Sequence, residues 1–286
     1  MPIDVDKLLG YSIPTVKQTL TRRETAFYAL SVGLGQDPED ERQLRYVDYS
    51  RDLCALPSMA VVLAHPGFWL ADPRSGVDAT QVVHGEQELN LHAPLPVEGE
   101  LVGETSIVGL VDKGVGQGAL LYTRKEVTDA ASGKLIASTL NTTFIRGGGG
   151  FGGSPTPYKS SPAQPVGEPD FVMDLPTRAE QALYYRMNGD DNPLHADPVV
   201  AARAGFRRPI LHGLCTFGVV CHAVVRTLAD YDASLLRGMS LRFSSPVYPG
   251  ETIRSEIWRD GSFRARVVER DALVVSDGLA RLGERP

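Results

Sequence analysis

The chain has no basic block. Among its 286 residues, 35 Asp and Glu outnumber 29 Lys and Arg, for a net charge of −6. Gripping a nucleic-acid backbone needs clustered cations that displace condensed counterions, so no nucleic-acid partner is expected. Cysteine is scarce, with only Cys54, Cys215 and Cys221. An odd number without a C-x-x-C pair supports neither a disulfide framework nor a zinc ribbon. Long hydrophobic runs are missing as well. The longest, Ile210 to Val225, is broken by His212 and His222 and falls short of the ~20 apolar residues of a membrane span. The opening residues, Met1-Pro2-Ile3-Asp4-Val5-Asp6, carry acids where a secretory signal carries bases, and the closing Glu284-Arg285-Pro286 is no peroxisomal address. A cytoplasmic protein with no membrane partner is expected.

Glycine and proline, at 29 and 20 residues, are plentiful instead. They concentrate in Gly147-Gly148-Gly149-Gly150-Phe151-Gly152-Gly153 and in the following stretch with Pro155, Pro157, Pro162, Pro165 and Pro169. Such sequence sustains neither a helix nor a central strand. It predicts a linker over 147–169 between an N-terminal unit, 1–146, and a C-terminal unit, 170–286. Gly147-x-Gly149-x-x-Gly152 has the spacing of a dinucleotide fingerprint, yet prolines stand where that motif requires a helix, so no nucleotide cofactor is expected.

The two units read as copies. Thr21 to Gly33 can be laid on Thr177 to Gly189, with Thr, Arg, Glu, Ala, Tyr and Gly coinciding, and both begin as Thr-x-x-Glu capping boxes and stop on Gly. Val97-Glu98-Gly99-Glu100 is echoed by Tyr248-Pro249-Gly250-Glu251. Each copy predicts a capped helix, an apolar helix (58–64 and 212–229), then sequential strands. In the first copy these are 81–91, 101–112, 119–128 and 134–145; in the second, 239–243, 252–260, 263–269 and 272–282. The expected class is α+β, two tandem helix-wrapped antiparallel sheet repeats.

Chemistry concentrates after Gly189. Asp190-Asp191-Asn192-Pro193-Leu194-His195 puts a carboxylate and an imidazole on either side of a rigid proline. Such a pair suits one water: one group removes its proton while the other delivers a proton to carbon. Farther on, Gly213 opens the second apolar helix, where an unobstructed amide can hold a developing oxyanion. No spacing resembles H-E-x-x-H, so no metal is expected at His195, Asp197, His212 and His222.

This segment, with Pro209-Ile210-Leu211-His212-Gly213, resembles the hydratase 2 motif of MaoC-like (R)-specific enoyl-CoA hydratases. Ala55-Leu56-Pro57, Val83-His84-Gly85-Glu86-Gln87, Asp112-Lys113-Gly114 and Gly150-Phe151-Gly152-Gly153 extend the likeness over nearly the whole chain. It is similar to the long, double-hotdog form found in the hydratase domain of peroxisomal multifunctional enzyme type 2. The resemblance implies a hydro-lyase converting trans-2-enoyl-CoA to (3R)-3-hydroxyacyl-CoA, with no cofactor, acting as a homodimer. It implies that Asp190 and His195 hold the water, that the Gly213 amide binds the thioester oxygen, and that Asn192 positions the pair. His84, Gly85, Lys113 and Phe243 are then expected along the CoA and acyl portions. The first unit has Leu34 where the second has Asp190, so it is expected to have lost the chemistry and to accommodate the acyl chain. The alternatives are a 3-hydroxyacyl thioester dehydratase acting on acyl carrier protein and a non-catalytic acyl-CoA-binding subunit.

Overall fold

The computed structural model describes residues 3–153, 165 and 167–284. The opening segment holds α1 (Val5–Leu9), β1 (Val16–Leu20), α2 (Arg22–Ser31) and α3 (Glu41–Val47), followed by a 3-10 turn at Pro57–Val61. Strands β2 (Val82–Leu91), β3 (Gly99–Asp112), β4 (Ala119–Asp129) and β5 (Leu135–Ile145) complete the first half. The second half comprises β6 (Phe171–Pro176), α4 (Gln181–Tyr185), α5 (Pro198–Arg203), α6 (Gly213–Leu228), β7 (Leu236–Phe243), β8 (Thr252–Ile257), β9 (Ser262–Val267) and β10 (Ala272–Leu282).

Among the described residues, ten strands form one antiparallel sheet in the order β1-β3-β4-β5-β2-β7-β10-β9-β8-β6. Outward from the β2–β7 seam, both halves run in the same sequence. The second strand of each half lies at the seam, the next three follow in reverse order, and the first closes the edge. The fold is the expected α+β double hotdog. At the seam Glu86 pairs with Arg242, Gln87 with Leu241 and Leu89 with Met239, so the halves share one ladder. The edge strands β1 and β6 were not anticipated from the sequence, being short segments with half-polar alternation.

Helix α6 is the core of the second half. Eleven of its sixteen residues are buried, as a helix apolar all round requires. It lies against β6, β7 and β8 and reaches the 3-10 turn of the first half. There the contact is close: a Cβ at Gly218 would sit 2.5 Å from Val32 Cγ1 and 3.1 Å from the Tyr28 hydroxyl. Tyr28 itself bonds Ser58 Oγ at 3.0 Å.

Two expectations fail here. The apolar helix over 58–64 is only the 3-10 turn Pro57–Val61, followed by further short turns through Gln81. Proline at its first position and a left-handed Ala64 (φ 44°) keep it from extending. The second capping box does not form either. At Thr21 the reciprocal bonds with Glu24 are present, whereas the Thr177 amide and hydroxyl both donate to the Glu251 carbonyl and the helix starts later, at Gln181. Of the 147–169 stretch, residues 154–164 and 166 lie outside the described residues. Its glycine run is tied down: Asp112 accepts the amides of Gly114, Gly150 and Gly152 at 2.6–2.8 Å. These amides hold the Asp112 carboxyl below its ordinary range.

The α6 contact is testable. Gly218→Val overpacks it at a cost of about 3 kcal/mol, which lowers Tm by roughly 6–12 °C in thermal melting. Adding Val32→Ala recovers part of that loss, because the same space is vacated from the other side.

Candidate active site

The turn that carries Asp190 is held from the first half. Gln181 Nε2 and Cys215 Sγ both donate to the Ser31 carbonyl at the end of α2, and Asn188 Nδ2 donates to Ser31 Oγ at 2.9 Å. One residue later the backbone reverses at Gly189 (φ 101°), which only a residue without Cβ adopts readily. Asp190 Oδ1 then accepts the Asn192 amide at 3.3 Å, and Asn192 Oδ1 accepts the Leu194 amide at 3.0 Å. Asn192 thus caps the 3-10 turn Pro193–His195, with Pro193 in the first position. The cap and the proline fix where the imidazole of His195 points.

His195 is buried, and its Nδ1 lies 2.9 Å from the Ile210 carbonyl oxygen. A carbonyl only accepts, so Nδ1 carries the proton and neutral His195 keeps a lone pair on Nε2. Burial lowers the His195 pKa from its ordinary 6.5, against the opposing pull of Asp190. His212 stacks on His195 with ring centroids 3.8 Å apart, and its Nε2 lies 3.3 Å from the Asp190 backbone carbonyl. Burial and the neighbouring imidazole hold His212 far below the ordinary histidine range, so it stays neutral. The place of His212 as a plate behind His195 comes from stacking between two segments, which no spacing along the sequence reports.

Helix α6 begins beside this pair. Its N-cap, His212, makes no side-chain cap, so the amides of Gly213 and Leu214, which line the cavity, and the positive end of the helix dipole are left for it. A Cβ on Gly213 would meet the Phe243 ring at 3.4 Å. Phe243, at the end of β7, meets the His84 ring of β2 edge-on, with centroids 4.8 Å apart.

A cavity of about 410 Å³ joins these groups and is lined by Asp190, Asn192, His195, Gly213, His84 and Phe243. That size suits a small organic ligand. Two expected residues do not line it. Gly85 sits at a register shift of β2, where a Cβ would lie 3.1 Å from the Thr142 carbonyl, and Lys113 is exposed in the β3–β4 turn. The turn is at the same end of the sheet as Val82 and Arg146, which do line the cavity. One donor atom each from Asp190, His195 and His212 lie within 4.8 Å of one another, the spacing a metal ion could use. Each imidazole already spends one nitrogen on a backbone carbonyl.

Comparison with known proteins agrees along the chain. Residues 160–277 match the MaoC like domain family, and residues 19–147 match the MFE-2 hydratase 2 N-terminal domain. The chain is 41% identical to 3-hydroxyacyl-thioester dehydratase Y of Mycobacterium tuberculosis, over 97% of this chain and 94% of that one. It is 38% identical to probable enoyl-CoA hydratase 2 of Dictyostelium discoideum, over 98% and 97% respectively. The crystal structure of a MaoC-like dehydratase from Phytophthora capsici superposes with a TM-score of 0.85 at 31% identity, covering 99% of this chain and all of the other. Family models match both halves of the chain and relatives at 38–41% identity match nearly its whole length, so the chain belongs to the MaoC-like hydratase 2 family.

Proposed function

We propose that the protein is an (R)-specific enoyl-CoA hydratase, adding water across trans-2-enoyl-CoA to give (3R)-3-hydroxyacyl-CoA, and running the dehydration in reverse. The observation that carries this reading is that Asp190, His195 and the start of α6 face one cavity. Water sits between the Asp190 carboxylate and the free Nε2 of His195. As its oxygen bonds to C3, one water proton passes to this pair, and electron density moves through C2 onto the thioester oxygen. The Gly213 amide holds that oxygen, aided by the helix dipole. The pair then releases its proton to C2, so it ends each turnover as it began. Asn192 positions the turn, while His84 and Phe243 wall the thioester. Gly85 and Lys113 stay with the CoA portion outside the cavity.

The domain reading carries over into the proposal. Residues 170–286 supply the chemistry, and 1–146 form a degenerate hotdog that accommodates the acyl chain, joined through 147–169. Three free thiols suit a reducing compartment, and we place the protein in the cytoplasm as a homodimer. No helix among the described residues is long and apolar enough to cross a membrane. The dehydratase name of one relative favours a second reading, dehydration of a 3-hydroxyacyl group on acyl carrier protein. The chemistry is the same reaction in reverse, so only the carrier differs.

Incubation with crotonyl-CoA and a longer trans-2-enoyl-CoA, with chiral analysis of the product, tests the assignment. The (3R) product is expected, and a (3S) product overturns it; comparison with the matching acyl carrier protein thioester decides the carrier. Asp190→Asn and His195→Gln are each expected to lower kcat/KM by roughly 10²–10⁴. Parent-like rates in either variant contradict the mechanism.

The pH profile has a definite sign. His195 must be neutral to accept a proton, and its pKa lies below 6.5. We expect kcat/KM to hold as pH falls to 6.5 and to decline only at lower pH. In Asp190→Asn the charge that favours the imidazolium is gone, so the His195 midpoint read by NMR titration moves lower still.

A further inference from the structure

Where the first half lacks its helix, the sheet face turned to the cavity is polar. Direct cross-strand partners place Thr105, Lys125 and Thr139 in one row, and Thr123, Asn141 and Gln87 in the next. All six line the cavity that holds Asp190 and His195. A third pair, Thr143 and His84, links these rows to Phe243. The second half is built differently: β9 presents buried Phe263, Ala265 and Val267 to the core around α6. The polar face therefore belongs to the first half and not to the fold in general.

Part of this polar capacity is spent within the fold: Gln87 Nε2 donates to the Glu88 and Leu140 carbonyls, and Asn141 Oδ1 accepts the Thr143 hydroxyl. Lys125 Nζ donates to the carbonyls of Ala60, Val61 and Leu63 at 2.6–3.1 Å, tying off the 3-10 turn. Burial pulls this ammonium down, to about 7, while the three acceptors favour its charged form. Its three protons are spent on carbonyls, leaving none for a ligand. Thr105 Oγ1, by contrast, is buried without a hydrogen-bond partner. An all-methylene tail laid on this surface would strand hydroxyl and amide groups away from water, which is unfavourable for each of them. Oxygen atoms on the tail would answer them.

Resting on the hydratase reading, we propose that the acyl subsite selects a chain carrying neutral oxygen, a ketone or hydroxyl, on its distal carbons. Along β5, Asn141 and Thr139 lie two and four residues from Thr143, roughly 7 and 13 Å at strand rise. A four-carbon acyl group stops short of these rows. A distal carboxylate is disfavoured, because the cation on this face has no free proton to offer it.

Four substrates test the proposal in the full-length protein: crotonyl-CoA, trans-2-decenoyl-CoA, its 9-oxo derivative, and the ten-carbon chain ending in a carboxylate. We expect kcat/KM for the 9-oxo substrate to exceed that for the plain decenoyl substrate by about tenfold. The carboxylated chain should be the poorest of the three long ones. The double variant Thr123→Val, Asn141→Leu should erase or reverse the tenfold preference. Equal or better use of the plain decenoyl chain by the parent protein overturns the proposal, as does a preference for the carboxylate. Calorimetric binding of decanoyl-CoA and 9-oxodecanoyl-CoA gives a readout that needs no turnover and no variant. If no substrate is hydrated yet 9-oxodecanoyl-CoA binds about tenfold tighter, the hydratase reading fails and the subsite stands. Hydration of crotonyl-CoA with no preference in either measurement fails the subsite alone.

Discussion

The uncapped start of α6 is the constraint on which the rest depends. A sixteen-residue helix buried along most of its length delivers its dipole and its free amides at one end. Ordinarily a Ser, Thr or Asp side chain would satisfy them. Here the capping position holds His212, whose ring turns away to stack on His195 and meet the Asp190 carbonyl. The amides are therefore offered to the cavity. Gly213 keeps the approach narrow but open, with Phe243 standing where a side chain would otherwise press. Everything that holds α6 in place, including its contact with Val32 and Tyr28 at Gly218, also aims this end at the Asp190–His195 turn.

That turn belongs to the second half, yet its position is set by the first. Ser31 gathers Gln181, Cys215 and Asn188 onto the end of α2, which fixes the chain two residues before Asp190. The sheet seam does the same at a larger scale, bringing His84 of β2 beside Phe243 of β7. A single hotdog with this turn would lack both supports and one wall of its cavity. The two halves are unequal partners in one site. One carries the Asp190–His195 turn, and the other anchors that turn and lines the rest of the cavity.

The space arises from what the first half failed to build. Its central helix is reduced to five residues of 3-10 turn, closed by the Lys125 ammonium. Without a helix to pack against, the inner positions of β3, β4 and β5 were free to become Thr, Asn and Lys. The second half, which keeps its helix, keeps Phe, Ala and Val there. A helix's presence or absence thus decides whether the same sheet face is core or cavity wall.

Much of this was legible in the residues. Alternating strands and punctuating glycines located eight of the ten strands, because a half-buried ladder leaves a period-two pattern. The edge strands β1 and β6 did not announce themselves, since an edge is short and paired on one side only. Asp190, Asn192 and His195 could be read because five consecutive steps of one tight turn place them together, a local matter of proline and side-chain caps. The same local logic erred at Thr177, where the Glu251 carbonyl outcompeted a capping box, and at 58–64, where an apolar run became a turn. By itself the sequence determined the α+β class, the duplication and the Asp190–His195 turn, since each is written in short-range pattern. Only the tertiary structure decided the backing of His195 by His212, the anchorage at Ser31 and the polar face over β3–β5. Those join residues up to 184 positions apart, and no periodicity along a chain reports which distant segments will meet.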